Sequence, residues 1–422
     1  MARAARGAIS RPELGRLGIM AVLGFSSGLP WALSGPTLRL WMASEHVALG
    51  VIGLTANIGL AYLLKFVWAP FFDEAKPLFF GRRRGWLIPV QIALALSIAA
   101  LALSDPARNV WLSLGLGALV AFCSASQDII IDAWRIESFA PRLQGAALAG
   151  EVWGYRVAMM VSFSGATVLS SYLGWHGAVG LVAALALIGP VAAFFAPEPE
   201  VVREAEAASL GARFTQAVVE PFTEFLSRRG AVVILAFVLF YRLGGALGDP
   251  MISPFYLALG FNRTAIAIAN GPVVLVCGLA GTAVGALLVA RIGVGRALLI
   301  TSLLQALALC LYPLLGLYPH TPHILAGIAA VEAFVGTLSD TAFLSYLSSL
   351  CAPEHTATQY ALFSSLAPMA LHTVAGASGF VVERTGYVAF FEICAAAALP
   401  GILLLLTILR FYPPVRQVIK EA

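Results

Sequence analysis

The stretch Phe122–Gly145, FCSASQDIIIDAWRIESFAPRLQG, decides how the chain is read. It opens as an apolar helix, then carries Gln127, Asp128 and Asp132 where hydrocarbon is expected, and turns polar at Arg135 and Glu137. An ionisable side chain at the centre of a membrane helix costs about 2.5–3.5 kcal/mol even on insertion scales. Two acids so placed point to a lumen-facing site, a proton carrier or a structural charge lock. Asp128, Asp132 and Arg135 follow i, i+4, i+7 spacing, which sets them on one helix face.

The whole chain fits a membrane setting. It is 60% hydrophobic and 11% charged, against about 25% charge in a soluble domain, and its mean hydropathy is +0.88. An all-α integral membrane protein follows. Segments of about 20 apolar residues span a bilayer. Twelve qualify, at 14–35, 48–70, 86–104, 110–134, 143–170, 176–196, 230–251, 264–290, 296–317, 322–350, 357–382 and 387–410. Lys and Arg crowd the N-terminus and alternate connections, as at Arg82–Arg84 and Arg228–Arg229, so both termini are expected in the cytoplasm. The five cysteines show no paired spacing, which implies neither a disulfide framework nor a metal site. No nucleophile–base pair or nucleotide loop stands out. An enzyme, a cofactor and a nucleic-acid partner are therefore not expected; the partners are the lipid bilayer and a small solute.

Three parts are expected: a six-helix bundle over 1–196, a cytoplasmic linker over 197–229 and a second six-helix bundle over 230–422. In the linker Phe214, Val218, Phe222 and Phe225 recur at helical spacing, the pattern of a helix on the membrane surface or under the bundles. The halves match at a constant offset of 212 residues. Gly81 and Arg84 fall on Gly293 and Arg296, Asp128 on Asp340, and Ala140–Pro141 on Ala352–Pro353. Each half has an even number of spans, so both insert with the same orientation. A parallel six-plus-six repeat is the major facilitator arrangement.

Further motifs resemble one family. GFSSGLP (Gly24–Pro30), LKFVWAPFFD (Leu64–Asp73), GRRRGW (Gly81–Trp86), SASQDIIIDAWR (Ser124–Arg135), GYR (Gly154–Arg156), YRLG (Tyr241–Gly244) and TATQYALFSSL (Thr356–Leu366) are similar to the AmpG-type muropeptide permeases of the major facilitator superfamily. The resemblance runs over nearly the whole chain. It implies a proton-coupled importer of anhydromuropeptides across the bacterial inner membrane, serving cell-wall recycling and, in some bacteria, β-lactamase induction. The second half departs from the pattern: Gly245 takes a position often held by Asp, Asn270 one often held by Lys, and Asp340 one where small or hydroxyl residues are usual.

The intramembrane polar residues are the candidates. Asp128, Glu151, Glu332 and Asp340 could exchange a proton; each could equally be one half of an internal ion pair. Arg156 is a permanent cation near a span centre, and its planar fork suits a carboxylate, such as those of a stem peptide. Its other reading is a pair with Asp128 or Glu151. Gln127, Tyr155, Arg242 and Asn270 are further ligand candidates, with Trp31 and Tyr241 as rings that could stack on sugars. Lys65 is near enough to the interface to snorkel. His372 could titrate, although a lone span histidine is more often a hydrogen-bonded core group. Asp73, Arg82, Arg83 and Arg84 match the family's loop motif, whose implied work is to latch helices. Asp132 is expected to pair with the Arg82–Arg84 cluster. Arg135, Asp249 and Gly154 are expected to gate or to pack, with a kink before Pro250.

The leading reading is a monomeric proton symporter of anhydromuropeptides working by alternating access. A facilitator carrier of another solute (an acyl-CoA, a sugar conjugate or a drug) is the first alternative. A non-transporting assembly factor is the second, against which the intramembrane charges argue.

Overall fold

The computed structural model describes residues 10–74, 77, 80–199, 226, 227, 229–350, 368 and 371–411, with the backbone alone at 70, 73, 74 and 141. Among the described residues every regular element is helical. Ten stretches of the described residues are long and apolar enough to cross a bilayer: α1 (Arg11–Ser44), α2 (Leu49–Val67), α3 (Arg82–Leu103), α4 (Val110–Ser138), α5 (Gln144–Phe195), α6 (Ala231–Ala258), α7 (Arg263–Ile292), α8 (Val294–Leu315), α9 (Pro322–Leu350) and α10 (Ser378–Phe411). At 52 residues, α5 would run about 78 Å at 1.5 Å per residue, against a hydrocarbon core of about 30 Å. It breaks at Gly174, where φ is 68°, and so holds two crossings. A similar break interrupts α10 at Gly386. The expected surface helix over 214–225, half of the segment 357–382 and the Ala352–Pro353 repeat match lie outside the described residues.

The chain folds as two compact units, Met1–Leu38 with Leu64–Arg203, and Arg39–Leu63 with Glu204–Ala422. In the first unit α1 and the first half of α5 meet backbone to backbone. A Cβ at Gly154 would meet the Ala21 carbonyl and the Phe25 nitrogen, one at Gly28 the Tyr155 carbonyl, and one at Gly24 the Glu151 carbonyl. Small residues at such a seam let helices approach where no hydrophobic force drives them together. Further along, π-helical turns at Leu33–Thr37 and Val161–Gly165 face each other. Thr37 donates to the Ser162 carbonyl at 3.1 Å, and Ser162 Oγ donates to the Leu29 carbonyl at 2.7 Å, which ties the irregular backbone around Pro36 to its neighbour.

The start of α3 is closed by a residue far away in sequence. Gly81 has φ 83°, and the Glu198 carboxylate accepts the Arg83 N–H at 2.7 Å and the Arg84 N–H at 3.0 Å. Free N–H groups and the positive dipole end favour an anion there. In the second unit Phe237, Leu298, Phe343, Tyr346 and Leu405 form the core. Gly281 lies against the Phe334 backbone and Thr337, joining α7 to α9. The segment Arg39–Leu63 packs here too: Gly50 N–H donates to Glu383 at 2.8 Å, and Gly379 borders the Leu49 backbone. Helix α6 turns at Tyr241–Arg242 and then runs unbroken through Pro250 and Pro254. Both prolines sit inside the helix Leu243–Ala258, and the backbone irregularity of α6 lies at Arg242, where φ is −104° and ψ 6°.

Candidate functional site

In the first unit the polar residues of α4 sort by depth. Gln127 is fully buried. Its Nε2 donates to the Ser26 carbonyl at 3.0 Å, and its Oε1 accepts from Ser26 Oγ at 3.3 Å. Expected as a ligand group, Gln127 instead spends both ends of its amide on fastening α4 to α1. Asp128, one position on and half-buried, accepts a hydrogen bond from Ser27 Oγ. Among the described residues Asp128 makes no ion pair.

One turn further along α4 lies a connected set of charges. Asp132 contacts Arg135 at 3.2 Å and Lys65 at 3.8 Å, and Arg135 pairs with Glu151 of α5 at 2.8 Å. The expected pairing of Asp132 with Arg82–Arg84 is not what forms. Glu137 takes that role, bonded by Arg82 at 2.7 Å and by Arg83 at 2.6 Å, while Arg84 donates to the Phe194 carbonyl at 2.6 Å. The reason is reach: Glu137 lies a further turn and a half along α4 from Asp132, beside the start of α3. Asp73 lies in the last turn of the helix Ala69–Glu74, and its side chain lies outside the described atoms. Because Glu151 is taken by Arg135, the alternative pairing with Arg156 does not arise. Half-buried on α5, Arg156 makes no ion pair or hydrogen bond among the described residues. Tyr155 is half-buried beside Gly28 and Trp31 is exposed.

In the second unit Arg242 pairs with Asp340 of α9 at 2.5 Å. Both side chains are accessible although they lie well inside their spans. Charged groups so placed belong on a wetted surface rather than against lipid. Arg242, Gly245 and Asp249 follow i, i+3, i+7 along α6, and Glu332, Gly336 and Asp340 follow i, i+4, i+8 along α9, so each helix carries one polar face with a glycine at its middle. Glu332 has no hydrogen bond or ion pair among the described residues. Asp249 pairs with Arg39 at 2.6 Å; Arg39 was not singled out in the sequence.

Tyr241 departs from its expected role as a sugar-stacking ring, while His372 makes the hydrogen-bonded core contact expected of a lone span histidine. Tyr241 is buried and stacked on Phe343, ring centroids 4.7 Å apart. Its hydroxyl lies 3.1 Å from Thr301 Oγ1 and 2.7 Å from Ser339 Oγ. It is a core group with no free face for a sugar. His372 places Nδ1 3.0 Å from the Ala56 carbonyl, a local packing bond. Asn270 sits in the π-helical turn Ala269–Val273, and its buried Nδ2 has no acceptor among the described residues. Gln305 was missed. It reads as a lone polar residue in an apolar run, yet its buried Oε1 has no donor among the described residues.

Helices that cross a bilayer, with acids and cations held inside them, define a multi-pass membrane transporter. The family model described as Major Facilitator Superfamily matches residues 20–369. The chain belongs to the Major Facilitator Superfamily and, within it, to the AmpG-type permeases of the bacterial inner membrane. It is 36% identical to the anhydromuropeptide permease of Escherichia coli K12 over 93% of this chain and 79% of the relative. It is 32% identical to a protein of Rickettsia conorii that carries the name AmpG 4, over 93% and 96%. Among solved structures, the nucleoside transporter NupG superposes with a TM-score of 0.69 at 15% identity, covering 94% of this chain and 98% of that one. A POT family transporter, solved in complex with a thioalcohol-conjugated peptide, superposes with a TM-score of 0.71 at 12% identity, covering 94% and 96%. At those identities the likeness concerns the fold.

Proposed function

We propose that the protein imports anhydromuropeptides together with protons, by alternating access between two six-helix bundles whose termini lie in the cytoplasm. The E. coli relative's name supplies the substrate class. The observation that carries the coupling is the sorting of the intramembrane acids. Asp340 is held by Arg242, Glu151 by Arg135, and Asp132 by Arg135 and Lys65. Asp128 meets a hydroxyl and Glu332 meets no partner among the described residues. An acid without a cation partner can cross between protonation states without leaving a charge stranded, whereas discharging a paired acid strands its cation. Asp128 and Glu332 are therefore the proton-exchanging groups, and Asp340 and Glu151 are structural.

Arg156 is the cation left for the substrate, and the stem-peptide carboxylate is its ligand. The Arg39–Asp249 pair and the Arg82–Arg83–Glu137 cluster are latches that hold one conformation and release in another. The protein works as a monomer.

Ligand-induced thermal stabilisation of the purified protein tests the substrate. N-acetylglucosaminyl-anhydromuramyl tripeptide is expected to raise the melting temperature in a saturable manner, and a CoA thioester to leave it unchanged. Stabilisation by the thioester alone would transfer the assignment to another solute.

A further inference from the structure

Helices α6, α8 and α9 meet at two successive levels that are built in opposite ways. At the first level Tyr241 fills the junction, and its hydroxyl is within hydrogen-bond distance of Thr301 and Ser339. One turn along each helix, the corresponding positions are Gly245, Gln305 and Gly336. Here no ring fills the junction, and the two glycines leave it to the Gln305 side chain. A Cβ at Gly336 would lie 3.8 Å from Gln305 Oε1 and 3.8 Å from Glu332 Oε1. A Cβ at Gly245 would find only Gln305 Nε2, at 4.0 Å. Gln305 therefore projects between two glycines, with the carboxyl of Glu332 at the same recess. The oxygen of its amide is buried and has no donor among the described residues. A buried acceptor left without a donor costs about 1–3 kcal/mol, and such groups in native proteins call for an explanation.

We infer that Gln305 is a specificity-determining residue whose side-chain amide pairs with a secondary amide of the substrate, in the recess between Gly245 and Gly336. The chemistry is reciprocal: Gln305 Oε1 accepts the amide N–H, and Gln305 Nε2 donates to the amide carbonyl. The glycines give the group room to approach. Arg242 and Asp249 on the polar face of α6, and Glu332 and Asp340 on that of α9, flank the two glycines, which suits a polar ligand. This inference rests on the proposed substrate class, whose amides come from two sources, the acetamido groups of the sugars and the stem peptide.

The test is concentration-dependent uptake into proteoliposomes of two labelled compounds, the disaccharide N-acetylglucosaminyl-anhydromuramic acid and its tripeptide conjugate. Wild type is compared with Gln305→Met and Gly336→Ala. Gly336→Ala is expected to fold, because its new methyl would make only ordinary 3.8 Å contacts, and it narrows the recess; it carries the test if Gln305→Met is not monodisperse. The expected result is a KM raised about tenfold or more, with maximal rate kept within about twofold, the size of one lost hydrogen bond to a buried group. An effect on both compounds assigns the acetamido groups, and an effect on the conjugate alone assigns the stem amides. Wild-type uptake with both variants unchanged in KM would overturn the role of Gln305 and leave the substrate assignment standing. No uptake of either compound by the wild type would overturn both.

Discussion

Asp128 and Asp340 occupy the same position in the two repeats, yet their neighbours give them different work. Asp128 meets the Ser27 hydroxyl; Asp340 meets the Arg242 guanidinium at 2.5 Å. In each half the partner comes from the first helix of that half, but the sequence does not reveal which residue of that helix turns inward. If Asp340 and Arg242 are a structural pair, Asp340→Asn and Arg242→Gln should each destabilise the detergent-solubilised protein, and the double variant should be closer to wild type than either. Removing one member of a buried pair costs about 3–5 kcal/mol, and replacing both costs much less. Partial exposure of this pair reduces those figures. Additive losses in melting temperature would remove the coupling. Arg156 sits at the other extreme, a cation with no partner among the described residues. Arg156→Gln is expected to raise KM for the tripeptide conjugate about tenfold and to change KM for the peptide-free disaccharide little. Equal effects on both would mean that Arg156 does not read the stem carboxylates.

At the level of elements, the seam between α1 and α5 depends on glycine for closeness. A side chain at Gly154 would strike the Ala21 and Phe25 backbone, which cannot swing aside as a side chain can. Gly154→Leu should therefore cost about 1–3 kcal/mol or more, the scale of overpacking, and reduce the yield of folded protein. Gly115 on α4 has open space around it, and Gly115→Leu serves as the neutral comparison. Equal melting temperatures for the two would refute the seam. The Glu198 cap on α3 is a smaller term. Glu198→Ala should lower stability by about 1 kcal/mol, the usual worth of a cap or an anion at a helix start, read as a shift in denaturation midpoint. The spans were legible because about 20 apolar residues in a row have few other uses. The cap was not, because Glu198 lies 115 positions from Arg83 and its PEPE context reads as a polar linker.

Across the whole molecule, a handful of matched positions at one offset pointed to the superfamily, whose family model matches residues 20–369. The polar set of the site was less legible. Composition exposed Asp128, Arg156, Glu332 and Asp340, since charge inside hydrocarbon is conspicuous. It could not separate a residue that faces the lumen from one that fastens two helices, and so Gln127 and Tyr241 were read as ligand groups when their hydrogen bonds are internal. Gln305 carried little signal, because one neutral amide in an apolar run bears no charge and no sequence pattern marks its partner. Which acids are paired is a fact of three dimensions, and the coupling account depends on it. The most direct measurement is uptake of labelled N-acetylglucosaminyl-anhydromuramyl tripeptide into proteoliposomes, with and without an acid exterior, for wild type beside Asp128→Asn. The account predicts that the gradient drives accumulation in the wild type, and that Asp128→Asn loses accumulation while still exchanging substrate across the membrane at equilibrium. Gradient-driven accumulation by Asp128→Asn equal to that of the wild type would contradict it.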